Sequence, residues 1–185
     1  MIPPLTAVGA LPRGRYPATI PEVESAFVAD PMWAASTTRP TVWADWLQVT
    51  AQARKVVPVA AAWLGGSFLT DKLNPDDLDV IYLIDARQAA AVTSPLYRGF
   101  LSLLSQGQAL RTLRGSRLDT FVIDWVPDPD GARMAPGFSD YVADRGYWDD
   151  LWQRSLSGPK MAPRVPSDAL PKRGYLEVIL DDFQP

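Results

Sequence analysis

The fold is decided by residues 64–80, which read LGGSFLTDKLNPDDLDV. An apolar run at residues 59–64 ends here at the small residues Gly65, Gly66 and Ser67. Such residues let the backbone approach a ligand closely, and their N–H groups and hydroxyl suit phosphate oxygens. The pattern therefore predicts a phosphate-binding turn at the end of a strand.

Two aspartates at the other end of this stretch suit a divalent cation. Asp77 and Asp79 flank Leu78 at the start of a second predicted strand, residues 78–84. Because side chains alternate across a strand, both carboxylates share one face, where their charges repel each other unless a cation joins them. Oxygen ligands alone point to Mg²⁺ or Mn²⁺. A phosphate-binding turn beside such a cation is what phosphoryl or nucleotidyl transfer requires.

The composition excludes most other catalytic machinery. The chain has 185 residues, which favours a single domain, and it contains no cysteine and no histidine. It therefore has no disulfide, thiolate nucleophile, His-ligated metal or Ser-His-Asp triad. Any chemistry must come from carboxylates, basic side chains, hydroxyls, backbone groups or a hard cation.

Charge and hydropathy limit the partners. The net charge is -3 and the pI is near 4.9, which argues against a surface that coats nucleic acid but leaves room for a local basic groove. The apolar run at residues 56–64 is too short to cross a bilayer, and the first residues lack the pattern of a signal peptide. We therefore expect a cytoplasmic protein with no membrane partner.

The chain divides into a short arm and one domain. Prolines and glycines in residues 1–18 predict an extended arm rather than a packed element. Residues 19–185 are expected to form a single domain. Within it we expect N-terminal helices at 19–55, a core motif region at 56–126, and a C-terminal helix with a closing strand at 127–185.

Periodicity predicts an α/β or α+β fold with a small mixed β-sheet flanked by helices. Thr19, Pro21 and Glu22 have the pattern of a capping box at the start of a helix. The predicted helices cover residues 19–29, 41–54, 86–114 and 139–155, with Pro95 and Gly107 as candidate breaks in the third. The predicted strands cover residues 59–64, 78–84, 118–126 and 175–180.

The motif resembles that of a known superfamily. Gly66-Ser67, nine intervening residues and then Asp77-Leu78-Asp79-Val80 are similar to the signature of the polymerase-β-type nucleotidyltransferases. Residues 66–80 most resemble a branch of small, uncharacterised bacterial and phage proteins associated with toxin–antitoxin-like nucleotidyltransferases. The resemblance implies a polymerase-β-like fold over most of the chain. Better-known relatives place Arg-Gly shortly after Gly-Ser, whereas this chain has Thr70-Asp71-Lys72.

The resemblance also implies roles for individual residues. Gly65, Gly66 and Ser67 would hold the triphosphate of an NTP, and Asp77 and Asp79 would bind Mg²⁺ (or Mn²⁺). Lys72 either neutralises triphosphate charge or is a solvated loop lysine, and both readings stay open.

A third carboxylate on a neighbouring strand completes the site in the superfamily, where it binds metal and can activate the attacking hydroxyl. The predicted strand at residues 118–126 offers Asp119 near its start and Asp124 near its end. Their odd separation puts them on opposite faces, so at most one joins the cluster. Asp119 fits the pattern of the superfamily better, with Asp124 as the fallback.

The implied activity is transfer of an NMP from an NTP to a hydroxyl of RNA or tRNA, a protein or a small molecule, in a toxin–antitoxin or phage-defence setting with a cognate partner protein. The alternative is a catalytically inactive relative that binds a nucleotide or a partner, as an antitoxin does. The candidates for an acceptor-binding groove are the basic residues Arg111, Arg114, Arg117, Lys160, Arg164, Lys172 and Arg173.

Overall fold

The computed structural model describes residues 1–128, 130, 135–159 and 161–181. These residues form a mixed α/β structure built on one five-stranded sheet. The strands are β1 (Gly14–Ala18), β2 (Val59–Gly65), β3 (Leu78–Asp85), β4 (Leu118–Trp125) and β5 (Gly174–Ile179).

The sheet has the order β1-β5-β2-β3-β4 and mixes parallel and antiparallel pairs. β2 is antiparallel to both β3 and β5, whereas β3–β4 and β1–β5 are parallel. The C-terminal end of β2 therefore meets the N-terminal ends of β3, β4 and β5 at one end of the sheet. This end, where the motif residues lie, is called the site end below.

Six α-helices surround the sheet in the described residues. They are α1 (Ile20–Glu24), α2 (Arg39–Val56), α3 (Ala86–Ala91), α4 (Pro95–Leu104), α5 (Ala109–Arg114) and α6 (Phe138–Trp152). The predicted capping box is present, since the Thr19 hydroxyl accepts the Glu22 N–H and the Glu22 carboxylate accepts the Thr19 N–H.

Two apolar clusters cover the two faces of the sheet. The larger packs α2, α4, α5 and the segment at residues 20–33 against side chains such as Leu64, Val80 and Tyr82. The smaller packs α6 against Trp63, Ile81 and other residues of the opposite face. Alternation along β3 separates the two sets, since Val80 and Tyr82 lie on one face and Ile81 on the other.

The predicted helices and strands at residues 19–180 are confirmed, with ends that move by a few residues. The helical region at 86–114 is three helices, because Pro95 begins α4 and Gly107 (φ 57°) separates α4 from α5. The whole is a mixed sheet flanked by helices, as predicted. None of the described helices is both long and apolar enough to cross a membrane.

The prediction of an unpacked arm at residues 1–18 is wrong for part of that segment. Residues 14–18 form β1, an edge strand whose partner β5 lies near the far end of the chain. This five-residue strand, GRYPA, contains a glycine and a proline, and both residues are uncommon inside strands, so sequence patterns do not predict it. Leu11, just before β1, is 1% exposed and belongs to the larger core.

Candidate functional site

Three neighbouring strands bring the motif residues together at the site end. Gly65 on β2 pairs with Asp79 on β3, and Asp79 pairs with Asp119 on β4. Residues paired across adjacent strands lie about 5 Å apart and point to the same face. The two carboxylates therefore stand side by side, and the position beside them has no side chain.

Gly66 is required by the carboxylate of Asp79. Its φ is +76°, in the left-handed region that favours glycine, and a Cβ there would lie 1.8 Å from Asp79 Oδ2. The Asp79 carboxylate thus rests directly on the Gly66 backbone. The turn and Asp79 are therefore in direct contact, although the twelve residues 66–77 separate strand β2 from strand β3.

Residues 66–77, called the site loop below, connect this turn to β3. Ser67 follows Gly66 in a 3₁₀ turn. Lys72 Nζ donates to Asp76 Oδ2 at 2.8 Å, and this bond is the main reason why the pKa of Asp76 is lowered. Asp77 is ion-paired with Arg111 of α5. The loop therefore carries both signs of charge toward the site.

Residues 151–173, called the C-terminal wall below, close the other side of the site, with Lys160 outside the described residues. The indole of Trp152 lies over Gly65, where a Cβ would be 2.5 Å from Trp152 Nε1. Arg173 Nε donates to the Trp152 carbonyl at 3.3 Å. Burial lowers the pKa of Arg173, and attraction to the Asp79 carboxylate opposes that shift. Arg173 is therefore held within electrostatic reach of Asp79.

An open pocket of about 630 Å³ lies between the site loop and the C-terminal wall. Such a volume suits a small-molecule ligand. The lining residues combine acidic, basic and apolar side chains: Gly66, Ser67, Lys72, Asp76, Asp77, Asp79, Asp119, Leu151, Trp152, Arg154, Ser155, Leu156, Arg164 and Arg173. The sequence-based candidates Gly66, Ser67, Lys72, Asp77, Asp79 and Asp119 all lie in this pocket, and Gly65 lies under its Trp152 wall.

Asp124 lies elsewhere. It pairs with Ile84 in the sheet, on the opposite face from Asp119, and it lines a different pocket with Arg98 and Asp144. The odd spacing along β4 is the physical reason. Of the two alternatives for a third carboxylate, only Asp119 lies beside Asp79.

The described basic residues proposed for an acceptor groove have different contacts. Arg164 and Arg173 line the candidate pocket. Lys172 Nζ is bound to Ser157 Oγ and Asp168 Oδ1, and Arg114 stacks on Phe100. Arg111 reaches Asp77, the backbone N–H of Arg117 donates to Asp45, and Lys160 lies outside the described residues.

The donor chemistry of the pocket fits a hard cation, but the carboxylates do not converge on one point. Asp77 faces Arg111, and Asp79 rests on Gly66. Within the described ranges, no group of three or more acidic residues is arranged to hold a metal ion. Asp77, Asp79 and Asp119 are the sequence-predicted ligands that line the pocket, and side-chain rotations are needed before they share a cation.

Sequence patterns did not identify Trp152, Arg154 or Leu156 as site residues. The predicted helix at residues 139–155 contains several aromatic residues at helical spacing, among them Tyr141, Trp148 and Trp152, and this pattern normally predicts only core. Gly65 could have indicated that a side chain packs here, since a glycine in a strand often marks the close approach of another group.

The chain matches the family of unknown function DUF6932 over residues 3–179, and it belongs to that family. No curated protein sequence and no solved structure matches it.

Proposed function

We propose that the chain is a Mg²⁺-dependent nucleotidyltransferase that moves an NMP from an NTP to a hydroxyl acceptor. The observation that carries the proposal is the pairing of Asp79 with Asp119, in register and beside the Gly66–Ser67 turn. A phosphate-binding turn next to paired carboxylates supports this reaction, because phosphoryl chemistry depends on positioning and charge neutralisation rather than on an imidazole base.

In this proposal Asp77, Asp79 and Asp119 hold the Mg²⁺ (or Mn²⁺), which neutralises charge on the reacting phosphates. Arg111 must release Asp77 for that carboxylate to take part, since the two are ion-paired. Because the pair is partly exposed, its exchange for a stronger partner costs little.

The phosphates of the NTP are bound by the turn and by basic side chains. Gly65, Gly66 and Ser67 offer backbone N–H groups and a hydroxyl, and Lys72 offers an ammonium once it leaves Asp76. Arg173 adds a guanidinium from the C-terminal wall, near Asp79. A pocket that combines acidic and basic walls suits a ligand that brings both anionic phosphates and a cation.

Asp119 would accept the proton of the acceptor hydroxyl as its oxygen bonds to the α-phosphorus of the NTP, and the bond to the β-phosphate breaks so that pyrophosphate leaves. It is the carboxylate on the edge strand, so an acceptor approaching from outside the sheet reaches it before Asp79. With no histidine in the chain, a carboxylate is the natural base at this position. The acceptor is RNA or tRNA, a protein or a small molecule, in a cytoplasmic toxin–antitoxin or phage-defence setting with a cognate partner protein.

The proposal is tested by incubating the chain with Mg²⁺, cell extract and NTPs labelled at the α-phosphate. We expect label on an acceptor with the wild-type chain and none with the Asp77→Ala/Asp79→Ala double variant. The matched control is Asp124→Ala, which removes a carboxylate from the opposite face and leaves transfer unchanged. Equal transfer by the double variant would contradict the proposal.

A second candidate function is a nucleotide- or partner-binding module without catalysis. It is favoured by the Arg111–Asp77 ion pair, which neutralises a candidate metal ligand, and by the lack of convergence of the acidic side chains in the described residues. Calorimetry separates the two candidates. Tight binding of a partner protein that is indifferent to Mg²⁺, with no binding of Mg²⁺ and NTP together, supports the module.

A further inference from the structure

Arg39, at the start of α2, is fully buried. All four hydrogen bonds described for its side chain go to main-chain carbonyls. Nη1 donates to Phe27 O at 3.0 Å and Phe68 O at 2.8 Å, and Nη2 donates to Thr70 O and Lys72 O, both at 2.8 Å. The guanidinium thus joins the N-terminal helices to the site loop.

A buried cation of this kind is an expensive way to obtain stability. Burial lowers the pKa of Arg39 to about 10, so the side chain stays protonated at neutral pH. Its charge is satisfied by the carbonyls and by the ring of Trp33, whose centroid lies 3.7 Å from the guanidinium carbon. Apolar residues of similar volume often stabilise a core equally well. The arrangement therefore indicates that Arg39 is needed to hold a part of the chain in place.

The part of the chain that Arg39 holds is the site loop. Three of the four carbonyls belong to alternate residues, Phe68, Thr70 and Lys72, directly after Ser67. A planar fork that holds alternate carbonyls defines the path of the backbone between them. The two flanking groups that line the pocket, the Ser67 turn and the Lys72 side chain, are positioned by that path.

The same N-terminal segment holds the loop at two further points. Asn74 Oδ1 accepts the Thr37 N–H at 2.8 Å. The Asp71 N–H donates to Gly9 O at 2.8 Å, and a Cβ on Gly9 (φ +71°) would lie 2.1 Å from the Asp71 carboxylate. The motif residues Asp71 and Asn74 therefore serve as anchors of the loop.

We propose that Arg39 is a positioning residue for nucleotide binding: it holds the site loop so that the Gly66–Ser67 turn and Lys72 face the triphosphate. The identity of the ligand in this inference rests on the proposed function. The effect of Arg39 on the site loop rests on the geometry alone. Arg39 itself contacts no substrate, because the site loop lies between it and the pocket.

The experiment compares Arg39→Lys with the wild-type chain. Lysine keeps the charge but lacks the planar fork. We expect faster hydrogen exchange at the amides of Thr70, Asp71 and Lys72. We also expect the Kd for a non-hydrolysable NTP analogue in the presence of Mg²⁺ to rise at least about tenfold. The analogue is that of ATP or of another NTP, whichever binds the wild type best. Transfer at saturating NTP changes less than the Kd, because the carboxylates are untouched.

The matched control is Thr50→Val on the same helix. It removes the buried hydrogen bond of 2.8 Å between the Thr50 hydroxyl and Tyr82, far from the site loop. We expect Thr50→Val to lower Tm without changing the Kd or the exchange at residues 70–72. If Arg39→Lys behaves like this control, with a lower Tm and a wild-type Kd, Arg39 is only structural and the inference is overturned.

Two further outcomes keep the inference apart from the proposed function. If the wild type binds no NTP, the nucleotide function fails, and exchange that accelerates only at residues 68–72 in Arg39→Lys still supports loop positioning. If the variant does not fold, the guanidinium resonances of Arg39 are followed in the wild type. A shift when Mg²⁺ and the analogue bind supports coupling between Arg39 and the loop, and unchanged resonances overturn it.

Discussion

The two sides of the candidate pocket are held in different ways. The site loop is tied to the N-terminal segment by buried Arg39 and packs Phe68 against Trp43 and Phe27 in the larger core. Beyond Trp152, which packs in the smaller apolar cluster, the C-terminal wall is held by polar contacts near the surface, such as Lys172 to Ser157 and Asp168.

This difference has a consequence for mutations. Buried polar networks and close-packed contacts cost several kcal/mol to disturb, whereas an exposed ion pair contributes about 0–1 kcal/mol. Substitutions on the strand and loop side should therefore have large effects on chemistry and stability. Substitutions on the wall should have small effects that depend on salt and pH.

The largest expected effect is at Asp119. Asp119→Ala should lower transfer by about 10²-fold or more, since it removes both a metal ligand and the proton acceptor. Asp124→Ala on the same strand should leave transfer unchanged, because it lies on the opposite face. Single-turnover transfer with labelled NTP measures both. Equal losses in the two variants would mean that strand β4 matters only for stability.

Gly66→Ala should have the next largest effect. A Cβ in the left-handed region and 1.8 Å from Asp79 Oδ2 should destabilise the fold by about 2–4 kcal/mol. The matched control is Gly146→Ala in α6, where a new Cβ meets nothing within 4 Å and should add about 0.5–1 kcal/mol of stability. Urea unfolding of both variants measures the difference. A Gly66→Ala variant as stable as the wild type would show that the Asp79 carboxylate moves away at no cost.

The sequence predicts the strand residues of the site better than it predicts the C-terminal wall. The alternation of side chains along a strand was enough to separate Asp119 from Asp124, and the sheet register confirms that separation. Asp77, predicted to share a strand face with Asp79, lies in the site loop just before β3 and is ion-paired with Arg111. The roles of these residues in catalysis stay predictions.

The remaining contacts depend on long-range packing that no local pattern contains. Trp152 reaches Gly65 only because α6 crosses the sheet face at the site end. Arg39 lies just before the helix predicted at residues 41–54, and nothing near it in the sequence indicates four carbonyl partners. Strand β1 was missed because the strand it pairs with, β5, begins as far along the chain as Gly174.

On the wall, Arg164→Ala should have a modest effect. Its side chain is exposed and lines the pocket, so it acts on the triphosphate through a screened attraction. We expect a Kd for Mg²⁺ and the NTP analogue that rises about threefold at low salt and hardly at all at high salt. Calorimetry at two salt concentrations measures this. A large loss that persists at high salt would place Arg164 in a buried contact with the ligand and break the distinction between the two sides.

The smallest expected effect is at Asp168, and it depends on pH. Hydrogen bonds from Ser157 and from the Val165 N–H hold the pKa of Asp168 well below its usual range. A carboxyl with a lowered pKa in the folded state stabilises that state above its unfolded pKa of about 3.9, and the contribution falls as pH drops below that value.

Asp168→Asn should therefore lower Tm slightly at neutral pH, and the gap to the wild type should narrow as the pH is lowered below about 4. Asp144→Asn is the control, because no hydrogen bond of the Asp144 side chain is found in the described residues, and its Tm should follow the wild type at every pH. Thermal melts across this pH range measure both variants. A gap that stays constant with pH would mean that Asp168 contributes by packing rather than by charge. A loss of stability as large as that of Gly66→Ala would mean that the C-terminal wall contributes as much to the stability of the fold as the site loop does.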